Sequence, residues 1–197
     1  MSTLDEEDRR EYYRIEDTIA LEIRPLSAPE AAGQDVLQDA SPLFNLLSEL
    51  HLSEFESQHL LRQISERDRN TASYLKVLNK RIDLLSQVVA LTVLGQIGEP
   101  QPVVISEGGI EFSAPNAFAL GTALSVKLVL MPQALGLLLR ARVTHCAAKG
   151  AQFEVGTEFE LISDAQRQLL ARYILQKQAQ ERRLAREQNE SSVTQKE

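Results

Sequence analysis

The sequence has no tryptophan, few aromatic side chains and a single cysteine. Aromatic residues make up 5% of the 197 residues, whereas hydrophobic residues of all kinds make up 43%, so the core has to be mainly aliphatic. Cys146 has no second cysteine with which to form an internal disulfide. An oxidising compartment would therefore add nothing to the stability of the chain.

The sequence also predicts neither a signal peptide nor a membrane span. The N-terminus, MSTLDEEDRREYY, is acidic and has no apolar core region. The longest apolar stretch, residues 84–94, contains Ser86, Gln87 and Thr92. It is too short and too polar to cross a bilayer. We therefore expect a cytoplasmic protein without membrane insertion.

The overall charge of the chain is negative, with a formal net charge of −7. An acidic protein is not attracted as a whole to a nucleic-acid polymer or to an anionic membrane, so neither is expected as a partner. A local cluster of arginines can still hold a small anion, because each guanidinium group donates two parallel hydrogen bonds.

The residues that usually carry catalysis or bind metals show no productive spacing. His51 and His59 lie eight residues apart, whereas a helical metal site places its ligands four apart. His145 and Cys146 are adjacent on a predicted strand, so their side chains point to opposite faces. No P-loop or dinucleotide-binding glycine motif is present. We expect a protein that is not an enzyme and that needs no metal or other cofactor.

Six segments are predicted to be β-strands, and the four longer ones alternate apolar and polar residues with the period of two that is typical of strands. They are residues 17–25, 103–105, 110–112, 122–130, 135–145 and 151–161. Short strands at this spacing predict a β-barrel or a β-sandwich. Ser163 and Asp164 then start a predicted C-terminal helix, which is expected to fray beyond Gln178. Its apolar stripe consists of Leu169, Leu170, Tyr173 and Ile174.

A helical segment separates the first predicted strand from the second. After a loop at residues 26–40, Ser41-Pro42 has the character of an N-cap and first turn. The sequence predicts a break at His51-Leu52 and a second helix that starts at the capping box Ser53–Glu56. Since no glycine or proline follows before Gly95, this helix is expected to run about 40 residues, or about 60 Å.

The second helix carries a heptad pattern. Its a and d positions are Leu61, Ile64, Asp68, Thr71, Leu75, Leu78, Ile82, Leu85, Val89 and Thr92. The apolar part predicts a coiled coil. The predicted oligomerisation residues are Leu75, Leu78, Ile82, Leu85 and Val89. The alternative is an amphipathic helix packed on its own barrel, although a helix of this length would extend past a small domain.

A second apolar set lies beside the first on the same helix. It consists of Tyr74, Val77, Leu84, Val88 and Leu91. Together the two sets form an arc that is wider than the seam of a two-stranded coiled coil. The pattern therefore favours an assembly larger than a dimer, such as a tetramer.

Two short motifs indicate a ligand. Arg9, Arg10 and Arg14 place three guanidinium groups within six residues just before the first strand, which makes a local anion site on an acidic chain. The alternative is a solvated basic stretch that balances the acidic residues 5–8. The second motif, Ser106-Glu107-Gly108-Gly109, puts a hydroxyl beside a turn where a ligand can approach the backbone, although many such turns are only tight hairpins.

In this order the two motifs resemble those of the PilZ family, six-stranded β-barrels that act as bacterial receptors for cyclic di-GMP. Arg10 and Arg14 match the family's RxxxR motif, and Arg9 is the extra arginine that often precedes it. Ser106 and Gly109 match the Asp/Asn-x-Ser-x-x-Gly motif. Further matches are Gly121, Val155–Phe159, Ser163-Asp164 and Arg172–Ile174.

The resemblance implies how the chain is organised. Residues 9–26 and 101–175 would form the PilZ β-barrel, residues 41–97 an inserted coiled-coil segment for oligomerisation, and residues 1–8 and 179–197 flexible tails. The insertion is similar to that of the tetrameric PilZ subgroup, in which a heptad-bearing helix drives assembly. The expected fold class is α+β, with a six-stranded antiparallel barrel, a long helical insertion and a C-terminal helix.

The resemblance also implies a ligand and leaves two functional hypotheses open. The three arginines, together with Ser106 and Gly109, would bind cyclic di-GMP. Val104 stands where the family has an Asp or Asn that hydrogen-bonds guanine, and valine can neither donate nor accept a hydrogen bond. The chain is therefore either an oligomeric cyclic di-GMP-responsive regulator, or a PilZ-fold scaffold without nucleotide that acts through contacts with an unknown downstream protein.

Overall fold

The structure is a computed structural model, and it describes residues 13–33 and 37–194. Six strands and four helices lie within these residues. The strands are β1 (Arg14–Pro25), β2 (Gln101–Ser106), β3 (Ile110–Ala114), β4 (Ala123–Leu130), β5 (Leu135–Lys149) and β6 (Gln152–Glu160). The helices are α1 (Ala28–Ala32), α2 (Pro42–Arg67), α3 (Arg69–Leu94) and α4 (Asp164–Thr194).

The six strands form one closed antiparallel barrel in the order β1-β2-β3-β6-β5-β4. Alternate side chains point inward, as the period of a strand requires. The barrel interior is aliphatic apart from a few aromatic side chains, as the composition predicts. Its buried residues include Ile15, Ile19, Val103, Ile105, Ile110, Leu124, Val126, Leu128, Leu137, Leu139 and Val155. The α+β fold class, with its six-stranded barrel, helical insertion and C-terminal helix, is confirmed.

The predicted strands are all present, and four of them, β1, β2, β3 and β5, are longer than predicted. β1 begins at Arg14 rather than at residue 17. β5 continues to Lys149, because β6 offers it pairing partners up to that residue. A shift of register between Val143 and His145 adds a bulge within β5. Bulges break the alternation locally, which is why the sequence pattern ends early.

The loop predicted at residues 26–40 contains a short helix, α1. Ser27 opens it with a capping box, because the carboxylate of Glu30 accepts from the Ser27 backbone N–H at 2.9 Å and from its hydroxyl at 2.7 Å. Arg24 at the end of β1 bonds the same carboxylate. These bonds, with the contribution of Arg24 first, lower the pKa of Glu30 to about 2.

The break predicted at His51-Leu52 and the helix start predicted at Ser53 are both wrong, because α2 continues through them. The His51 ring is buried, with Nδ1 2.8 Å from the carbonyl oxygen of Leu47 and Nε2 3.0 Å from that of Gln133. These contacts hold the helix at a point where the sequence has no glycine or proline to end it. Tertiary packing therefore keeps α2 helical through the predicted break.

The predicted continuous helix is instead divided at Asp68, whose backbone is extended, with φ −143° and ψ 101°. Its N–H donates to the carbonyl of Ile64 and ends α2. Its carboxylate accepts from the Thr71 hydroxyl at 2.6 Å and from the N–H groups of Asn70 and Thr71. These bonds, that of the hydroxyl first, hold the pKa of Asp68 below its usual value. The polar residue at a heptad core position is thus the N-cap of α3.

Helices α2 and α3 run antiparallel and form a hairpin that packs on the outside of the barrel. The start of α2 meets the end of α3, where Ser41 Oγ lies 3.4 Å from Gln96 Oε1. Both helices contribute to a second core against Ala20 and Val129, which are paired residues of β1 and β4. The helix side chains in this core are Phe44, Leu47, Ala90 and Val93.

Helix α4 packs against the barrel and is anchored by Asp17 of β1. The hydroxyl of Tyr173 donates to one carboxylate oxygen, and Lys177 Nζ lies 2.7 Å from the other. Burial, together with the neighbouring Asp17, raises the pKa of Tyr173 above its usual value. The helix continues to Thr194, past the predicted fraying point at Gln178, because the polar stretch is rich in good helix formers. The predicted apolar stripe is buried: Leu169, Leu170, Tyr173 and Ile174.

Replacing Leu47 by alanine is expected to lower the free energy of unfolding by about 2–5 kcal/mol, because the lost side chain leaves a cavity between the hairpin and the barrel. Leu47 is 2% exposed and packs against Gly136 of β5. The matched control is Leu175→Ala on α4, where the side chain is 58% exposed and the expected change is less than about 0.5 kcal/mol. Urea denaturation followed by circular dichroism measures both. Equal losses would contradict the described packing of the hairpin.

Candidate ligand-binding face

The motif residues that the structure describes come together at one end of the barrel. Arg14 is the first residue of β1, and its partner across the ladder is Ser106, the last residue of β2. Gly109 follows in the turn that leads to β3. Arg9 and Arg10 lie outside the described residues. The two halves of the motif are therefore adjacent in space, although the helical hairpin separates them in sequence.

Ser106 organises the turn between β2 and β3. Its Oγ lies 3.3 Å and 3.2 Å from the backbone N–H groups of Gly108 and Gly109, from which it accepts. Its backbone N–H donates to the carbonyl of Gly109 at 2.9 Å. The side chain is buried. Because the hydroxyl is already engaged, Ser106 contributes to the site by fixing the shape of the turn.

Gly109 is required by the close approach of the turn to β6. A Cβ atom at this position would lie 2.0 Å from the carbonyl oxygen of Thr157, far inside contact distance. Two hydrogen bonds hold the turn there: the Phe159 N–H donates to the Gly108 carbonyl, and the Thr157 hydroxyl donates to the Ile110 carbonyl, both at 2.8 Å. The glycine therefore sets the position of the turn on the barrel.

A cavity of about 440 Å³ lies on the outer face of the barrel, across β1, β2, β3 and β6. Arg14 stands beside it, on the same face of β1 as Glu16, because residues two apart in a strand share a face. The outer residues that line the cavity are Glu16, Thr18, Pro102, Val104, Glu111, Ser113, Lys149 and Glu154. The cavity is thus open, partly polar and next to the arginine of the motif.

Val104 lies at the centre of this face, between two carboxylates. Its ladder partners are Glu16 on β1 and Glu111 on β3. Neither glutamate makes a hydrogen bond or ion pair with another residue in the described part of the chain. Sequence reasoning identified Val104 but missed both glutamates. The alternation places each of them on an outer face, but only the cross-strand register shows that they flank Val104.

The other carboxylates around the cavity already have partners. Glu154 hydrogen-bonds to Lys149 and, with a smaller contribution from Glu111, raises the pKa of that ammonium group. Asp17 is held by the side chains of α4. Arg14 is exposed and, among the described residues, has no hydrogen-bonding or ionic partner. The charged groups on this face that have no partner among the described residues are therefore the guanidinium group of Arg14 and the carboxylates of Glu16 and Glu111.

The histidines and the cysteine, which were the candidate catalytic or metal-binding residues, do not come together in the described ranges. His145 is exposed on β5, while Cys146 is half-buried and packs against the barrel core. Between residues 13–33 and 37–194, no group of three or more His, Cys, Asp or Glu side chains is arranged to hold a metal ion. Among the helices described, none is long and apolar enough to cross a membrane.

The five predicted oligomerisation residues lie beside the inward-packing face of α3, and they differ in exposure. Leu75, Leu78 and Val89 are half-buried, while Ile82 and Leu85 are exposed. The face that packs inward carries the buried residues of this helix, which are Ala72, Ser86, Ala90 and Val93. The hairpin therefore uses part of the predicted heptad seam for its own packing.

The second apolar set forms the outward stripe of α3. Its members are between 50% and 63% exposed and recur with spacings of three, seven, four and three residues. They are Tyr74, Val77, Leu84, Val88 and Leu91. Arg81 occupies the remaining heptad position and is exposed. An exposed apolar stripe with heptad spacing is typical of a helix that packs against another helix.

Replacing Gly109 by alanine is expected to destabilise the protein by roughly 3 kcal/mol or more, because the obstructing atom is a backbone oxygen that cannot rotate away. The control is Gly98→Ala, where the nearest atom would lie 3.9 Å from the new Cβ and little change is expected. Thermal unfolding monitored by circular dichroism compares the two variants. An unchanged melting temperature for Gly109→Ala would contradict the described contact with β6.

Most of this barrel matches a known protein family. Residues 79–176 match the family described as PilZ domain. The match begins near the middle of α3 and covers β2 to β6 and the start of α4. It does not include β1, which the hairpin separates from the other strands. A search of curated proteins gave no significant match.

Two solved structures are similar to the chain. A pathogenic protein from Xanthomonas campestris, described as a tetrameric PilZ domain self-assembled via a helical bundle, has a TM-score of 0.55 and 18% identity over 92% of this chain and 99% of that chain. An inhibitor of motility from Bacillus subtilis has a TM-score of 0.38 and 20% identity over 42% of this chain and 43% of that chain. The first likeness concerns the fold alone, and the second is too distant to support an argument. The family match and the closed barrel show that this chain belongs to the PilZ domain family.

Proposed function

We propose that this protein is a cyclic di-GMP-responsive regulator, a non-catalytic receptor of the bacterial cytoplasm that works as a homo-oligomer. The observation that carries the proposal is the register of β1. It sets Arg14 opposite Ser106, at the edge of an open cavity on a PilZ barrel. In this proposal residues 9–26 and 101–175 form the receptor domain, and residues 41–97 form the assembly segment.

The chemistry of Arg14 suits a nucleotide phosphate. A guanidinium group donates two parallel hydrogen bonds to phosphate oxygens and can also stack on a base. Arg14 is exposed, and no described side chain competes for it. Arg9 and Arg10 precede it by a few residues in the sequence, and we propose that they bind the same ligand. Ser106 and Gly109 would shape the floor of the site by holding the turn in place.

The outward stripe of α3 supports assembly through the hairpin. The exposed side chains from Tyr74 to Leu91 lie opposite the face of α3 that packs inward. A second copy of the chain supplies the same stripe, so burial of both would remove apolar surface from water. The similar Xanthomonas protein is described as self-assembled via a helical bundle. We therefore propose a homotetramer, in which Ile82 and Leu85 of the predicted set extend the contact.

An alternative function is favoured by the centre of the cavity. Val104 cannot hydrogen-bond a base, and Glu16 and Glu111 beside it repel an anion. A barrel with this surface suits a scaffold that binds no nucleotide and presents a face to a downstream protein. Because the two functions differ in whether the nucleotide binds at all, one titration separates them.

The ligand is tested by isothermal titration with cyclic di-GMP. The Arg14→Ala variant is expected to bind about 10–100-fold more weakly than the wild type, because a hydrogen bond to a charged group contributes about 1.5–3 kcal/mol. The control is Arg24→Ala, at the other end of β1, where the guanidinium group pairs with Glu30 and no loss of affinity is expected. If the wild type shows no heat at high micromolar ligand, the scaffold function replaces the receptor. Equal affinity in the Arg14 variant would refute the site assignment.

The assembly is tested by light scattering on the double variant Leu84→Asp/Val88→Asp. Two carboxylates within the apolar stripe would have to be buried without partners, so the variant is expected to dissociate to smaller particles than the wild type. Lys76→Asp, an exposed change on the polar side of α3, is the control and should keep the wild-type mass. A monomeric wild type, or a double variant that keeps its mass, would rule out assembly through this stripe.

A further inference from the structure

We infer that Glu111 recognises the guanine base of the ligand through a pair of hydrogen bonds. The inference rests on the proposed receptor function and names the residue that gives it base specificity. Guanine carries two adjacent donors on its Watson–Crick edge, the ring N1–H and the exocyclic amine. An ionised carboxylate has two acceptor oxygens in a matching arrangement. Val104 offers no such group, so the acceptor has to come from another residue of the cavity.

The register brings Glu111 to the required place. Directly opposite residues in an antiparallel pair have Cβ atoms about 4.5–5.5 Å apart, so the Glu111 side chain starts next to that of Val104. On its other side Glu111 faces Gly156 of β6, which has no side chain to fill the space. Glu111 is also half-buried and lacks a hydrogen-bonding partner in the described ranges. A carboxylate in this position gains from a donor pair without giving up an existing bond.

Glu16 is the competing carboxylate, and its position is less suited to the base. It stands two residues from Arg14 on the same face of β1, close to the guanidinium group that would hold a phosphate. It is also exposed, whereas Glu111 lies further from Arg14, across β2. The arrangement separates the two ends of a nucleotide. The phosphate would face Arg14, and the base would lie over Val104 with its donor edge towards Glu111.

The electrostatics of the cavity agree with this orientation. An anionic phosphate near Glu111 would be repelled, while the N–H donors of guanine carry partial positive charge and are attracted. Lys149, on the far wall, is already paired with Glu154, so it does not neutralise Glu111 fully. Pro102 and Val104 supply an apolar floor on which a flat base can lie. The same carboxylate that disfavours a simple anion therefore selects the guanine edge.

The test uses the full-length chain and two ligands, cyclic di-GMP and its inosine analogue, which lacks the exocyclic amine. Glu111→Gln is expected to weaken cyclic di-GMP binding about 10–100-fold, because one of the two acceptors becomes a donor. The same variant should affect the inosine analogue less, since that ligand uses only one of the two bonds. Glu16→Gln tests the competing carboxylate and is expected to lose less affinity than Glu111→Gln. Glu49→Gln, an exposed change on α2 outside the cavity, is the matched control and should bind cyclic di-GMP within about threefold of the wild type.

A rescue experiment checks the geometry. Adding Val104→Asp to Glu111→Gln places a carboxylate on the neighbouring strand and is expected to restore at least part of the lost affinity. Wild-type affinity in Glu111→Gln, or a larger loss in Glu16→Gln, would overturn the inference and leave the receptor function intact. A wild type that binds neither ligand would overturn the receptor function itself, and the assignment of Glu111 with it. Circular dichroism of each variant confirms that the barrel is folded.

Discussion

The register of β1 is the constraint on which the rest of the structure depends. This strand precedes the hairpin in the sequence, and it closes the barrel by pairing with β2 along its first half and with β4 along its second half. Because side chains alternate between the two faces, a slip of one residue would turn Arg14 inward and expose Ile15 and Ile19. Burial of these isoleucines therefore also fixes the position of Arg14, the arginine that we propose binds the ligand.

The hairpin can be inserted at this point because β1 and β2 are antiparallel neighbours. A single loop from Pro25 back to Gln101, which lies opposite Ile19, would be enough to connect them, and residues 26–100 take its place. The entropy cost of closing a longer loop rises only slowly, by about 0.6 kcal/mol for each doubling of its length. The packing of Phe44 and Leu47 on the barrel offsets this cost. The insertion thus adds the exposed apolar stripe of α3 without disturbing the register that forms the candidate site.

The sequence contained enough information for the barrel but not for the details of the hairpin. Strand alternation is a local signal, so all six strands and their inward faces could be predicted. The division at Asp68 was not predicted, because the heptad spacing continues through it and no glycine or proline marks the break. Its side chain caps α3 through contacts with Asn70 and Thr71. The capping box at Ser53–Glu56 misled for the opposite reason, since the pattern also occurs inside a helix that tertiary contacts hold together.

The same limit applies to the candidate site. The motif residues Arg14 and Ser106 were visible in sequence because their spacing resembles that of a known family. Glu16 and Glu111 were not, because a cross-strand neighbour depends on register and not on sequence distance. Two residues that are 95 positions apart, Glu16 and Glu111, flank one valine only when β1, β2 and β3 are aligned. Which side chains come together in a site on a barrel therefore depends on how its strands pair.

The first half of β1 turns its outer face to the cavity, and the second half turns its outer face to the hairpin. The two proposed surfaces are therefore separate. Arg14 and Glu16 in the first half stand at the cavity, whereas Ala20 in the second half lies beneath the hairpin. A small residue is needed there because α2 and α3 both pack closely on the strand. The apolar stripe of α3 faces away from that contact, opposite Ala90 and Val93. A partner seated on the stripe therefore leaves the cavity open, so assembly through the hairpin and ligand binding on the barrel do not compete for the same surface.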